Sequence, residues 1–304
     1  MEKVEKLPRK FKSLSDFHRT LGQVMPFHPM VSLIDIGVNH IDPDESFSSF
    51  MTDFYQIIYK PDMQGKARYG QNYYDFAEGG LIFSAPHQIF EAPPRSTKSG
   101  YVLSIHPDFL LSYPLAKKIK QHGFFSYATN EALHLSEYEK QTIMSIFKII
   151  DDELKSRMDE LSHEVIISQL DLLLNYCNRF YKRQFITRKV VNNDLLVRME
   201  DFLDNHFNSM ELLGRALPTV HDLAEHLNTS PSYLSDMLRS LTGQNAQQHI
   251  HNKLIDKAKE KLSTTENSIS EIAYQLGFEH PQSFSKLFKA KMNVSPSAFR
   301  QSFN

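Results

Sequence analysis

The stretch Ala273–Lys291, AYQLGFEHPQSFSKLFKAK, decides how this chain is read. Ala273 and Leu276 have helical spacing, and Gly277 then supplies a residue that takes positive φ without steric cost. Pro281 suits the first turn of a new helix, where a missing N–H removes no hydrogen bond. Phe284, Leu287 and Phe288 recur at i, i+3 and i+4, the inward stripe of that second helix. Lys286, Lys289 and Lys291 fall outside the stripe. By itself the stretch predicts two short helices around a tight break, with a basic outer face that any solvated helix could carry.

The same plan occurs once before. Starting at Asp222, DLAEHLNTSPSYLSDMLRSLTGQNA lies over EIAYQLGFEHPQSFSKLFKAKMNVSP from Glu271. Leu223, Ala224 and Leu227 meet Ile272, Ala273 and Leu276 at an offset of 49, and Leu234, Met237 and Leu238 meet Phe284, Leu287 and Phe288 at 50. A repeat of this kind marks a structural unit used twice. In each copy a small residue (Ala224, Ala273) allows close helix approach, and Asn228 or Gly277 supplies the turn. Ser230 is the expected N-cap before Pro231. Thr219 with Asp222, and Ser268 with Glu271, read as caps of the leading helices. Between the copies Asn245 and Gln248 cap a longer helix, with Ile250, Leu254, Ala258 and Leu262 on one side. From Ala246 to Leu262 that helix spans roughly 25 Å. It can tie two helix-turn-helix units onto successive major-groove turns, about 34 Å apart.

Several motifs make a resemblance specific: SISEIAYQLGF, Ser283-Phe284-Ser285, Leu287-Phe288-Lys289, NVSPSAFR with Ser295, Pro296 and Arg300, and LNTSPSYLSDMLRSLTG in the first copy. With these, residues 194–304 resemble the DNA-binding domain of the AraC/XylS family of bacterial transcription regulators. The resemblance covers about a third of the chain.

The helical faces nominate the contacts to double-stranded DNA. With Leu234, Met237, Leu238 and Leu241 inward, the first recognition helix presents Ser232, Tyr233, Ser235, Asp236 and Arg239. The second presents Pro281, Gln282, Ser283, Ser285, Lys286 and Lys289. Gln reads adenine, Arg reads guanine, and Ser serves base or phosphate. Lys286, Lys289, Lys291 and Arg300 are expected on phosphates, which position without specifying. Residues 194–236 hold two basic and eight acidic residues, whereas 237–304 hold nine basic and five acidic. The expected basic surface is therefore the linking helix and the second copy. Asp236 stands where the family commonly has a basic residue.

The first part of the chain is different in kind. Residues 1–130 hold 20 of the 35 Phe and Tyr. MVSLIDIGV, DFYQIIYK, GLIFSAPHQIF and GYVLSIH read as strands separated by turn signals, and Gly79-Gly80 as a hairpin turn. Such spacing predicts an antiparallel sandwich or barrel. From Ser136, a capping-box signature with Glu139 opens a helix with Ile143, Ile146, Phe147, Ile150 and Leu154 on one face. A second helix, about 164–181, carries a stripe wider than one partner covers, with subunit contact and packing on the β domain both open.

The expected fold is α+β: a cupin-like β-barrel (1–130), a helical dimerisation segment (131–181), a linker (182–193) and a double helix-turn-helix domain (194–304). The cupin-like barrel, dimerisation, a small-molecule effector and a bias toward activation are what the family resemblance implies, as is RNA polymerase as a partner. Tyr55, Tyr59, Tyr73 and Tyr74 are the candidate effector contacts, beside a reading of these aromatics as core.

One cysteine, Cys177, excludes internal disulfides and cysteine-zinc clusters. The charged N-terminus lacks an apolar signal segment, and no apolar run reaches a membrane span, so a cytoplasmic protein is expected. No cofactor is expected. A metal-dependent cupin enzyme needs clustered ligands, but His28, His40, His87 and His106 are isolated, and His249 and His251 point apart on a helix. The remaining alternative is a regulator controlled by a protein partner instead of a small molecule.

Overall fold

Runs rich in Val, Ile, Phe and Tyr do become strands. The computed structural model describes residues 8–37, 49–61, 63–69, 72–76, 79–91, 99–128, 131–157, 159–187, 189–213 and 216–302. The chain divides into two compact units, Met1–Gln184 and Phe185–Asn304.

In the first unit the strands are β1 (Arg9–Phe11), β2 (Val31–Asp35), β3 (Ser49–Thr52), β4 (Tyr55–Lys60), β5 (Met63–Tyr69), β6 (Asn72–Phe76), β7 (Gly80–Ser84), β8 (Ile89–Glu91), β9 (Tyr101–Ile105) and β10 (Leu133–His134). The helices are α1 (Leu14–Thr20), α2 (Leu115–Lys118), α3 (Glu137–Lys155) and α4 (Ser162–Thr187). Five strands form an antiparallel sheet in the order β10-β7-β4-β9-β2. A second sheet has the order β1-β3-β8, and β5 pairs with β6. Among the described residues these sheets do not close, so the expected barrel is replaced by a layered arrangement of sheets and helices.

Register explains the layers. Leu33, Leu103, Ile57 and Phe83 are neighbours across four strands and share one face. That face is covered by helices: the Phe83 ring lies 4.5 Å from Phe124 and 6.0 Å from Tyr181, and Tyr101 lies 6.0 Å from Phe147 of α3. The alternate residues Ile34 and Val102 face the other way, into a buried cluster with Phe11, Leu14, Phe17, Phe50 and Phe54. A buried polar row, Ser32, Ser104, Gln56 and Ser84, crosses the same face.

Gly79-Gly80 is not a hairpin turn. β7 is paired on both sides, by β4 and β10, and has no edge left for β6. The glycines answer to crowding: a Cβ on Gly79 would stand 2.6 Å from the Lys60 carbonyl oxygen, and one on Gly80 2.4 Å from that of Leu133. Gly79 also has φ of 74°.

The segment read as a linker, 182–193, is helical wherever it is described. α4 runs through Thr187, and α5 (Lys189–Leu213) begins two residues later, earlier than the expected start near 194. The end of α4 is held by side chains whose partners are remote in sequence. Arg183 donates to both Glu139 carboxylate oxygens at 3.0 and 2.6 Å and to the His134 carbonyl at 2.8 Å. Gln184 accepts from the His134 N–H at 2.8 Å and donates to the Ala132 carbonyl at 3.2 Å. Cys177 is buried in α4, and burial pushes its thiol up.

The second unit is all helical: α5, α6 (Val220–His226), α7 (Pro231–Thr242), α8 (Ala246–Thr264), α9 (Ile269–Gln275), α10 (Pro281–Met292) and α11 (Pro296–Gln301). α8 packs against α5, α6, α7, α9 and α11, with Ile250, Leu254, Ala258 and Leu262 buried as expected. No described helix is long and apolar enough to cross a membrane.

Candidate nucleic-acid interface

The two helix-turn-helix copies are built by the same local bonds. Asn228 and Gly277 have φ of 54° and 83°, the left-handed turn that the sequence predicts. The next residue closes each turn by donating back five positions: Thr229 N–H to the Ala224 carbonyl at 2.9 Å, Phe278 N–H to that of Ala273 at 3.0 Å. Ser230 caps α7 by accepting from the Tyr233 N–H. α10 lacks a side-chain cap at His280 and starts on Pro281. The capping boxes at Thr219–Asp222, Asn245–Gln248 and Ser268–Glu271 all form.

The structural repeat holds to the end of the aligned stretches, past the second helix of each copy. α7 ends on Gly243 with φ of 76° and α10 on Asn293 with φ of 60°, fifty residues apart. Asn245 then caps α8 and Ser295 caps α11 at the same offset. Each copy therefore has three helices, and α11 corresponds to the first turns of α8.

On α10, Phe284 and Phe288 are fully buried, and Leu287 is half-buried. Gln282, Ser283, Lys286 and Lys289 are exposed, with Pro281 and Ser285 half-buried. Gln282, Lys286 and Lys289 fall on one stripe at i, i+4 and i+7. Neither Lys286 nor Lys289 forms an ion pair among the described residues. The linking helix differs. Lys253 pairs with Asp204 at 2.6 Å, Lys257 with Glu260 at 3.0 Å and Lys259 with Asp256 at 3.1 Å. Three of its lysines therefore have acidic partners, and one of these acids, Asp204, lies outside the 237–304 segment, whose charge count did not include it.

On α7, Ser232, Ser235 and Asp236 are half-buried and Arg239 is exposed. Tyr233 is not outward. It is 4% exposed, and its ring lies edge-on to Phe185 at 5.2 Å. Tyr233 lies one turn before Met237 and so widens the inward stripe, while Phe185 belongs to a segment read as linker. Arg300 is also corrected. Its guanidinium donates to the Leu262 carbonyl at 3.3 Å and the Asn267 carbonyl at 2.6 Å, tying α11 to the end of α8. Lys291 is exposed and donates to Asn252 at 3.3 Å.

Asp236 accepts from Arg239 at 2.7 Å within α7. The pair explains how an acidic residue is tolerated on an outward helix face. Asp236→Asn is expected to raise affinity for non-specific DNA by about two- to five-fold, the range of an exposed charge interaction. It should also lower the preference for a specific site, because the Arg239 guanidinium loses its orienting partner. Competition titrations check this; an unchanged specific-to-non-specific ratio would remove the orienting role.

The effector candidates lie elsewhere. Tyr55 and Tyr59 are buried on the helix-covered face of the sheet, Tyr55 edge-on to Phe125 at 5.0 Å. They are core residues. Tyr73 and Tyr74 lie on β6, and their side chains fall outside the described residues. His40 also lies outside them; His249 bonds Thr242 at 2.8 Å and His251 bonds Gln247 at 2.9 Å.

Two helix-turn-helix units on one connecting helix, with the exposed cations of α10, define a DNA-binding transcription regulator. A family profile described as a helix-turn-helix domain matches residues 223–302. The HTH-type transcriptional regulator YfiF of Bacillus subtilis (strain 168) is 24% identical over 256 residues, 81% of this chain and 76% of that one. The raffinose operon transcriptional regulatory protein RafR of Pediococcus pentosaceus is 36% identical over 84 residues, 28% of this chain and 30% of that protein. The solved C-terminal domain of the two-component response regulator yesN from Fusobacterium nucleatum is 32% identical, covering 33% of this chain and 96% of that domain, with a TM-score of 0.29. Residues 223–302 thus match an AraC-type helix-turn-helix domain, and the chain is similar to HTH-type transcriptional regulators.

Proposed function

We propose that this regulator is a cytoplasmic homodimer that activates transcription under control of a small molecule bound by its N-terminal domain. The observation that carries the DNA half is the α10 face, where Gln282 and Ser283 lie beside Lys286 and Lys289. In this reading Gln282, Ser283 and Arg239 meet base edges. Lys286 and Lys289 hold phosphates, and Ser232, Ser235, Pro281 and Ser285 pack along the groove. The domain plan is a sensor over about 1–130, a dimerisation segment over 131–181 and the DNA reader over 194–304.

The effector half is supported by a cavity of about 570 Å3 within the first unit, a size that suits a small organic molecule. The dimer is supported by apolar side chains left exposed on α3 and α4: Tyr138, Ile149, Val165 and Leu172. A ligand that binds one orientation of the dimer better would shift the population able to engage both half-sites and RNA polymerase. Genome-wide mapping of bound sites, followed by transcription from a recovered site with and without compounds from the neighbouring pathway, tests the reading. Enriched sites sharing one motif and compound-dependent transcription are expected. Transcription that no compound alters would favour control by a protein partner instead.

A further inference from the structure

The cavity lies at one end of the five-stranded sheet. It is lined by β2, the start of β9, the segment Gln23–Phe27 and the second half of α3, and opens to solvent. Its position is set by His18. The His18 imidazole bonds the Val24 carbonyl at 2.7 Å through Nδ1 and the Ser32 hydroxyl at 3.0 Å through Nε2. That buried ring pins the 23–27 segment against β2. Val24, Met25 and Phe27 on the pinned segment are 70%, 50% and 66% exposed, a run of large apolar side chains at the cavity rim. A fixed backbone carrying uncovered apolar side chains beside a cavity is what a ligand would cover.

The polar lining gives the ligand's charge. α3 contributes Lys148, Asp151, Asp152 and Lys155. These neutralise one another: Lys148 pairs with Asp152 at 2.8 Å and Lys155 with Asp151 at 2.5 Å. Asp35 is the remaining charge. It pairs with no cation among the described residues; its carboxylate accepts the Gly37 N–H at 2.8 Å and lies within hydrogen-bonding reach of the Tyr101 hydroxyl. Its register partner across β2 and β9 is Tyr101, so the two side chains share one face. Burial, and then Asp35 beside it, push the Tyr101 phenol up. The Tyr101 ring stands edge-on to Phe147 at 6.0 Å, which places two aromatic rings beside the carboxylate.

We propose that this cavity binds a small apolar molecule bearing one ammonium or amidinium group, with the cation against Asp35 and Tyr101 and the apolar body under Val24, Met25 and Phe27. A carboxylate flanked by aromatic rings holds a cation by charge and by the ring faces together. The proposal names the class of effector for the control proposed above and rests on that reading only for its regulatory consequence.

The test uses the purified full chain and three compounds of one shape: 2-phenylethylammonium, neutral 2-phenylethanol and anionic phenylacetate. A ligand that binds the folded state raises the melting temperature with concentration. The amine is expected to raise it, the alcohol to bind at least ten-fold more weakly, and the acid to leave it unchanged. Asp35→Asn should weaken amine binding ten-fold or more by calorimetric titration. Binding of the alcohol or acid as tight as the amine would overturn the proposal, as would no shift with any of the three. If Asp35→Asn unfolds the chain, the charge series on the unaltered protein still decides. Amine binding that leaves DNA affinity and transcription unchanged would keep the site and remove its role as the effector site.

Discussion

Phe288→Ala is expected to unfold the DNA-binding half of this protein at growth temperature. Phe288 is fully buried, 5.8 Å from the Phe284 ring and 5.5 Å from the Phe299 ring. Truncating a buried phenylalanine costs about 3–5 kcal/mol through lost transfer energy and the cavity left behind. Such a loss is a large fraction of the roughly 5–15 kcal/mol that holds a domain folded. The position is sensitive because Phe288 joins the ring cluster of α10 to Phe299 of α11. Calorimetry should show the transition of residues 185–304 lowered by more than about 10 °C. Phe288→Leu, which keeps most of the volume, should lower it far less. Equal melting of Phe288→Ala and the unaltered protein would show that the cluster does not hold the second copy together.

The second large effect is on DNA. Removing Lys286 and Lys289 together should lower the slope of log affinity against log salt by about 1.8, since each neutralised phosphate contributes about 0.9. Both side chains are exposed and unpaired among the described residues, so their charge is available to phosphates. The contrast is Lys253 and Lys257. Each is held by an acid, at 2.6 and 3.0 Å, and the pair of alanine substitutions there should leave the slope nearly unchanged. Filter binding across a salt series reads both. A slope that responds equally to the two pairs would mean that α8, not α10, carries the phosphate contacts.

The contrast between those lysines shows where sequence reading stops. Counting charges placed a basic surface on the linking helix, because a lysine counts the same whether or not an acid lies against it. Asp204, on α5, neutralises Lys253 from 49 residues away. Arg300 gives the same lesson. Its motif is legible, but its guanidinium serves the α8–α11 junction. Tyr233 failed for a third reason: its partner Phe185 came from a segment with no visible pattern.

What the sequence determined by itself is local. Caps, prolines in first turns, left-handed Asn228 and Gly277, and inward stripes at helical spacing all depend on residues within a few positions of one another. Repetition of that local code at 49–50 residues was enough to identify the paired DNA reader. Tertiary structure decided everything that depends on remote partners. It made 182–187 part of a helix through the bonds of Arg183 and Gln184, and turned Tyr55 and Tyr59 into core. It also left the sheets unclosed among the described residues, and brought Asp35 to the edge of a cavity with α3 more than a hundred residues away. Short-range bonds are written in neighbouring letters; contacts between distant segments arise only when the chain has folded and one side chain finds another.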